Sequence, residues 1–97
     1  YHVWWDPNLA AAIARAGRDR RIYAHHVCDW LVPTTDMLLD RGMMGDGVID
    51  LKAIRAMVEA AGYHGPQEVE IFSRDNWWKR PGDEVVRTCI ERFKSVC

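Results

Sequence analysis

His26 lies near the end of a β-prone run, Ile22 to Cys28, and Glu70 near the end of a second, Gln67 to Ser73. Alternation along the second run puts Glu68 and Glu70 on one face and Val69 and Ile71 on the other. His2 stands in a third, short aromatic run, Tyr1 to Trp5. Three strands that each end in such a residue can aim imidazole nitrogen and carboxylate oxygen at one point, which is what a divalent cation binds. The plainer reading of His26 is a hydrogen-bonded structural residue. His25 points to the opposite face and is expected to be structural. Glu68 and Glu70 are either exposed carboxylates of an edge strand or, between apolar neighbours, groups that need a partner. A metal, an arginine or a shared proton would serve, and the residue pattern leaves all three open.

Other groups are less specific. Arg41 is a ligand-binding candidate because a guanidinium forks onto oxyanions, although a surface arginine is the commoner case. Gly45-Asp46-Gly47 lacks the preceding strand and the spacing of a dinucleotide fingerprint, and it reads as a tight turn. The pairs Trp4-Trp5 and Trp77-Trp78 follow strand-like runs and either wall a sugar pocket or cover a rim. Cys28, Cys89 and Cys97 are odd in number and widely spaced, which points to free thiols in a reducing cytoplasm.

The elements that must position these residues alternate. After the Tyr1–Trp5 run, Asp6-Pro7 is expected to cap a helix with Leu9, Ala12, Ile13 and Ala16 on one stripe and Gly17 at its end. The Ile22–Cys28 strand leads into a long connection, Leu31 to Ile49. Asp50 then caps a helix with Leu51, Ile54, Met57, Val58 and Ala61 inward and Gly62 as its stop. The Gln67–Ser73 strand, a loop from Asp75 to Gly82 and a last helix from about Asp83 follow. Val85, Val86, Cys89, Ile90 and Phe93 are expected to face inward on that helix. Strand-helix alternation predicts an α/β fold with parallel strands. Long connections after strands and short turns before them favour a (β/α)8 barrel, whose chemistry sits on the post-strand loops.

A barrel takes about 250 residues, and the chain has 97. It starts at Tyr1 without a Met or an apolar leader, so it is expected to be a piece of a longer product, with residues 1–97 forming part of one domain. A hydrophobic share of 48% argues against disorder. The net charge of −1 gives no electrostatic case for a nucleic-acid partner or an anionic membrane surface.

Taken together, Tyr1-His2-Val3-Trp4-Trp5-Asp6-Pro7, His26-Val27-Cys28-Asp29-Trp30, Asp40-Arg41-Gly42-Met43-Met44-Gly45-Asp46-Gly47-Val48-Ile49-Asp50 and Glu68-Val69-Glu70-Ile71-Phe72 resemble the last three βα units of the sugar phosphate isomerase/epimerase family. These are xylose-isomerase-like barrels, kin to ketohexose 3-epimerases, inosose dehydratases and apurinic endonucleases. The resemblance covers essentially the whole chain through the order and spacing of its motifs. It implies that His26 is a metal ligand on strand seven. It likewise makes Glu70 the strand-eight carboxylate that binds metal and exchanges a substrate proton. His2 would be the substrate-contacting His of a D-x-x-H motif whose Asp falls just before Tyr1. That Asp and a strand-five Glu, the other two expected ligands, are not in the sequence. Ketohexose epimerases carry an Arg six positions after the strand-seven His. Val32 stands there, which leaves Arg41 as the candidate substitute for substrate binding. Apurinic endonucleases have a zinc-binding His where this chain has Gly42, which argues against phosphodiester cleavage.

The expected parent is a cytoplasmic, metal-dependent isomerase or epimerase of a small sugar or sugar phosphate, using Mn, Mg, Co or Zn. It would move a proton next to a carbonyl through an enediolate. A dehydratase or lyase on the same scaffold is the alternative. The 97-residue chain alone is expected to be inactive, a barrel remnant or assembly module. Its open sheet edges predict self-association or pairing with the missing N-terminal portion.

Overall fold

The computed structural model describes residues 1–97, a three-helix α/β arrangement around a short parallel ladder. Helix α1 spans Leu9–Arg18, strands β1, β2 and β3 span His25–Val27, Asp29–Trp30 and Arg41–Gly42, and helix α2 spans Leu51–Ala60. Strand β4 covers Gln67–Val69, a 3-10 turn Trp77–Lys79 and helix α3 Gly82–Val96. β1 and β4 pair in parallel with His26 opposite Glu68. The intervening α2 makes this a strand-helix-strand unit. β2 and β3 pair antiparallel, with Asp29 opposite Gly42 and Trp30 opposite Arg41. No helix is long and apolar enough to cross a membrane.

Helix α2 forms as its sequence dictates. Asp50 accepts a hydrogen bond from the Ala53 amide at 3.0 Å, and Leu51 and Val58 are buried on its inner stripe. Gly62, at φ +90°, supplies the left-handed turn that stops it. Helix α1 differs at both ends. Asp6 accepts from the Asn8 amide in a turn just ahead of the helix, which begins at Leu9 rather than Pro7. Gly17 lies inside the helix, where it lets α1 touch α2: a Cβ there would run into the Ala61 carbonyl.

The strand expected at Tyr1 to Trp5 is a turn instead. No neighbouring strand meets its backbone, and its aromatic side chains take other partners. Tyr1 donates its hydroxyl to the Met37 carbonyl and packs on Trp30, and Trp4 packs on the same ring. Two parallel strands are therefore present where three were expected. The Gln67–Ser73 strand is also shorter, ending at Val69, although the Glu70 amide still donates to the Val27 carbonyl at 3.0 Å.

The core gathers Val27, Met43, Met44, Ile49, Leu51, Trp77 and Cys97. Met43 and Met44 are fully buried, so the connection between β2 and α2 is half core and not a solvent loop. From α3, Val85, Cys89, Phe93 and Val96 pack against this cluster. Val86 and Ile90, expected inward, are exposed because they lie one residue round the helix from the packed stripe. All three cysteines are free thiols, and burial pushes each of them up from its ordinary pKa.

Candidate active site

His26 and Glu70 come together at the C-terminal end of the parallel pair. β1 carries His26 outward while Val27 turns into the core, and β4 releases Glu70 one residue past its end on the same face as Glu68. His26 Nδ1 is 3.6 Å from Glu70 Oε1, and His26 Nε2 is 3.0 Å from Glu68 Oε2. One imidazole therefore stands between two carboxylates.

Arg41 meets Glu70 from the other side. Its Nη1 donates to Glu70 Oε2 at 2.6 Å, and its side chain is only 3% exposed. The guanidinium is sandwiched between the rings of Tyr1 and Phe72, 4.5 and 4.6 Å from their centroids. Its Nη2 lies 3.4 Å from His2 Nε2. Arginine cannot accept, so this contact makes His2 Nε2 the acceptor. The Arg41 Nε is buried without a partner. Of the three ways to satisfy a carboxylate at Glu70, the structure uses an arginine. The hydrogen bond from Arg41 holds the Glu70 carboxyl below its usual range, opposed by partial burial. Arg41 was expected to be available to substrate. Its guanidinium is spent on Glu70, His2 and two aromatic faces, which leaves little of it exposed to a ligand.

The four residues singled out from the sequence, His2, His26, Arg41 and Glu70, thus form one continuous group. His2 reaches it from a turn and not from a strand end. His25 turns away and bonds Gln67 Oε1 at 3.2 Å, with its pKa lowered by burial, as a structural histidine should. Beside the group runs a largely apolar groove of about 420 Å³, to which Tyr1, His2, Trp4, Ile54, His25 and His26 contribute. The remaining tryptophans are structural or external. Trp77 is in the core and donates its indole N–H to Asp46, Trp78 donates to the Ile71 carbonyl, and Trp5 is exposed.

Asp29 organises the backbone around this group. It is fully buried and accepts three backbone hydrogen bonds, from Trp30 and Ile49 on Oδ1 and from Gly45 on Oδ2, at 2.8 to 3.0 Å. The carboxylate ties Gly45 and Ile49, on either side of the Asp46-Gly47 turn, to the start of β2, beside the strand that carries Arg41. Its local signal is an Asp at the end of a β-prone run, followed by a Gly-rich connection whose amides need acceptors.

The donor set fits a divalent ion in part. Two donors at about 2.1 Å from one ion, at a tetrahedral angle, stand about 3.4 Å apart, close to the 3.6 Å between His26 Nδ1 and Glu70 Oε1. No group of three His, Cys, Asp or Glu side chains has the geometry of a complete metal site. His26 lies within 3.0 and 3.6 Å of the Glu68 and Glu70 carboxylates.

The family model for the xylose isomerase-like TIM barrel matches residues 1–96. The crystal structure of protein SMc04130 from Sinorhizobium meliloti 1021 is similar, with a TM-score of 0.95 and 72% sequence identity over 97% of this chain and 34% of that one. The chain therefore spans about a third of that protein's length. No curated protein matches it.

Proposed function

The chain belongs to the xylose isomerase-like TIM-barrel family, and on that premise we propose that it carries the C-terminal βα units of a metal-dependent sugar isomerase or epimerase. The observation that carries this reading is the convergence of His26 Nδ1 and Glu70 Oε1 at 3.6 Å on neighbouring parallel strands, with Arg41 fixing the far oxygen of Glu70. His26 and Glu70 would hold one divalent ion, Mn, Mg, Co or Zn, together with donors from outside residues 1–97. When bound, such an ion polarises a carbonyl oxygen of a sugar or sugar phosphate and favours loss of the proton on the adjacent carbon.

The chain's own residues do the rest. Arg41 keeps Glu70 ionised at neutral pH and turns Oε1 toward His26. That serves the metal-holding role. It works against proton acceptance, because a useful base titrates near the working pH and Arg41 shifts Glu70 away from it. Glu70 is therefore read first as a ligand. His2 is exposed, and with its Nε2 facing Arg41 its Nδ1 side is the one that would meet a substrate hydroxyl.

The test is exchange of the proton beside the carbonyl. The full-length protein, loaded with Mn²⁺ and mixed with a panel of ketoses and ketose phosphates in D2O, should wash deuterium into that position by NMR. His26→Ala and Glu70→Ala should each stop it. No exchange with any sugar in the panel would sink the reading. A dehydratase or lyase would reveal itself by loss of water from the same panel.

A second reading concerns residues 1–97 on their own and is favoured by one observation. Val69 on β4 and Val86 and Ile90 on α3 are exposed apolar side chains. We infer that the isolated chain is an assembly module, catalytically silent, that pairs with copies of itself or with further barrel polypeptide.

A further inference from the structure

We propose that Phe72 is a positioning residue that holds the Arg41 guanidinium in its plane and, through it, the Glu70 carboxylate, an inference that rests on the metal-dependent reading above. Phe72 grips Arg41 twice. Its carbonyl accepts from the Arg41 amide at 2.9 Å, and its ring centroid lies 4.6 Å from the guanidinium carbon. Tyr1 covers the other face at 4.5 Å. The guanidinium needs this support because its hydrogen bonds fix its plane poorly. Nη1 donates to Glu70 Oε2 at 2.6 Å, Nη2 has only His2 Nε2 at 3.4 Å, and Nε is buried without a partner. One short bond and one long one leave the plane free to tilt about the line between them. Aromatic faces remove that freedom, since a guanidinium stacks flat on a ring.

Phe72 is itself fixed by the segment it shares with Glu70. Residues 70–72 lie past the end of β4, yet each is tied through its backbone. The Glu70 amide donates to the Val27 carbonyl at 3.0 Å, the Ile71 carbonyl accepts from the Trp78 indole at 2.8 Å, and the Phe72 carbonyl takes Arg41. The Trp78 ring stands edge-on to the Phe72 ring, with centroids 5.8 Å apart. Glu70 and Phe72, two residues apart, thus close on one guanidinium, the first at its edge and the second on its face. With Oε2 of Glu70 held in this closed set of contacts, Oε1 is the oxygen left facing His26 Nδ1, at 3.6 Å. Phe72 touches neither of those atoms' metal-holding side, and its influence runs through Arg41. Outer partners of this kind set how a ligand is presented and change metal affinity without contacting the ion.

The test is a double-mutant cycle on the full-length protein with two readouts. In the metal-free protein, the Arg41 Nε–H signal in 1H–15N spectra, assigned with Arg41→Met, should lie upfield of an ordinary arginine because two ring faces shield it. Phe72→Leu, which keeps an apolar side chain and removes the ring, should move it downfield. Titration calorimetry with MnCl2, and separately with ZnCl2, should show affinity falling about tenfold in Phe72→Leu. Phe72→Tyr, which restores the ring, should bind as wild type does. In an Arg41→Met background, Phe72→Leu should cause no further loss, a non-additivity that general loosening of the fold would not produce. An Arg41 signal unmoved by Phe72→Leu, an unchanged affinity, or equal losses in both backgrounds overturns the role of Phe72 while leaving the metal reading intact. Failure of the wild-type protein to bind either ion overturns the metal reading and what Phe72 positions for, whatever the Arg41 signal shows.

Discussion

Arg41 and Glu70, 29 residues apart in sequence, meet at 2.6 Å, one buried between two aromatic rings and the other a third exposed. The asymmetry decides how each should respond to mutation. Removing Glu70 strands a guanidinium that water cannot reach, whereas removing Arg41 leaves a carboxylate that it can.

Glu70→Ala is therefore expected to cost more than loss of function. Leaving a buried charge unpaired costs about 3–5 kcal/mol, and the partial exposure of Glu70 moves the expectation to the lower end of that range. Glu70→Gln keeps an acceptor for Arg41 and should lose roughly half as much. Urea unfolding followed by circular dichroism measures both. Equal stability for Glu70→Ala and wild type would mean that Arg41 finds another partner.

Asp29→Ala removes the acceptor of three amides, those of Trp30, Gly45 and Ile49. A buried amide left unpaired costs about 1–3 kcal/mol, and the Ile49 amide is the buried one of the three, so a loss of about 1–3 kcal/mol is expected. Asp29→Asn retains one acceptor oxygen and should fall between. Chemical denaturation reads this directly, and a change within about 0.5 kcal/mol would show that the turn holds without its anchor.

The pH dependence follows from Glu70. The Arg41 hydrogen bond holds its folded pKa below the unfolded value, which is near 4.3 for a glutamate. The stability it contributes is fully present above the unfolded value and is lost as pH falls through the folded one. Thermal melts taken from pH 6 downward should show wild type losing stability over this acid range. In Arg41→Met the curve should be flatter at its acid end. Parallel curves for the two proteins would remove Arg41 as the cause.

Association is the fourth expectation. β1 and β4 each have one unpaired edge, and Val69, Val86 and Ile90 lie exposed. Sedimentation of residues 1–97 at micromolar concentration should give a mass above that of one chain. Ile90→Glu should lower it. A folded monomer across the range would show that the exposed face is tolerated.

Parts of this arrangement are legible in the sequence because they are local. Asp50 and Gly62 bound α2 through their own backbone preferences, and period-two alternation puts Glu68 and Glu70 on one face. The failures share a cause: they depend on neighbours far along the chain. Tyr1 to Trp5 has strand propensity, yet no strand lies alongside, and its rings go to Arg41 and Trp30. Arg41 reads as a surface cation until Tyr1, Phe72 and Glu70 close round it. Asp29 is followed by a Gly-rich connection that needs acceptors, but two of the three amides it accepts from lie 16 and 20 residues away, beyond local reading.

Met43 and Met44 sit in the core although they belong to the connection that follows β2. For anyone wishing to reshape what this scaffold recognises, that divides the connection into two territories. Val32, Met37 and Leu38 face solvent, and a library randomised there should yield mostly folded variants. Diversity introduced at Met43 or Met44 should instead be filtered by folding before any selection for binding can act, since truncating a buried Met costs about 2–5 kcal/mol. The evolvable part of the loop is its first half.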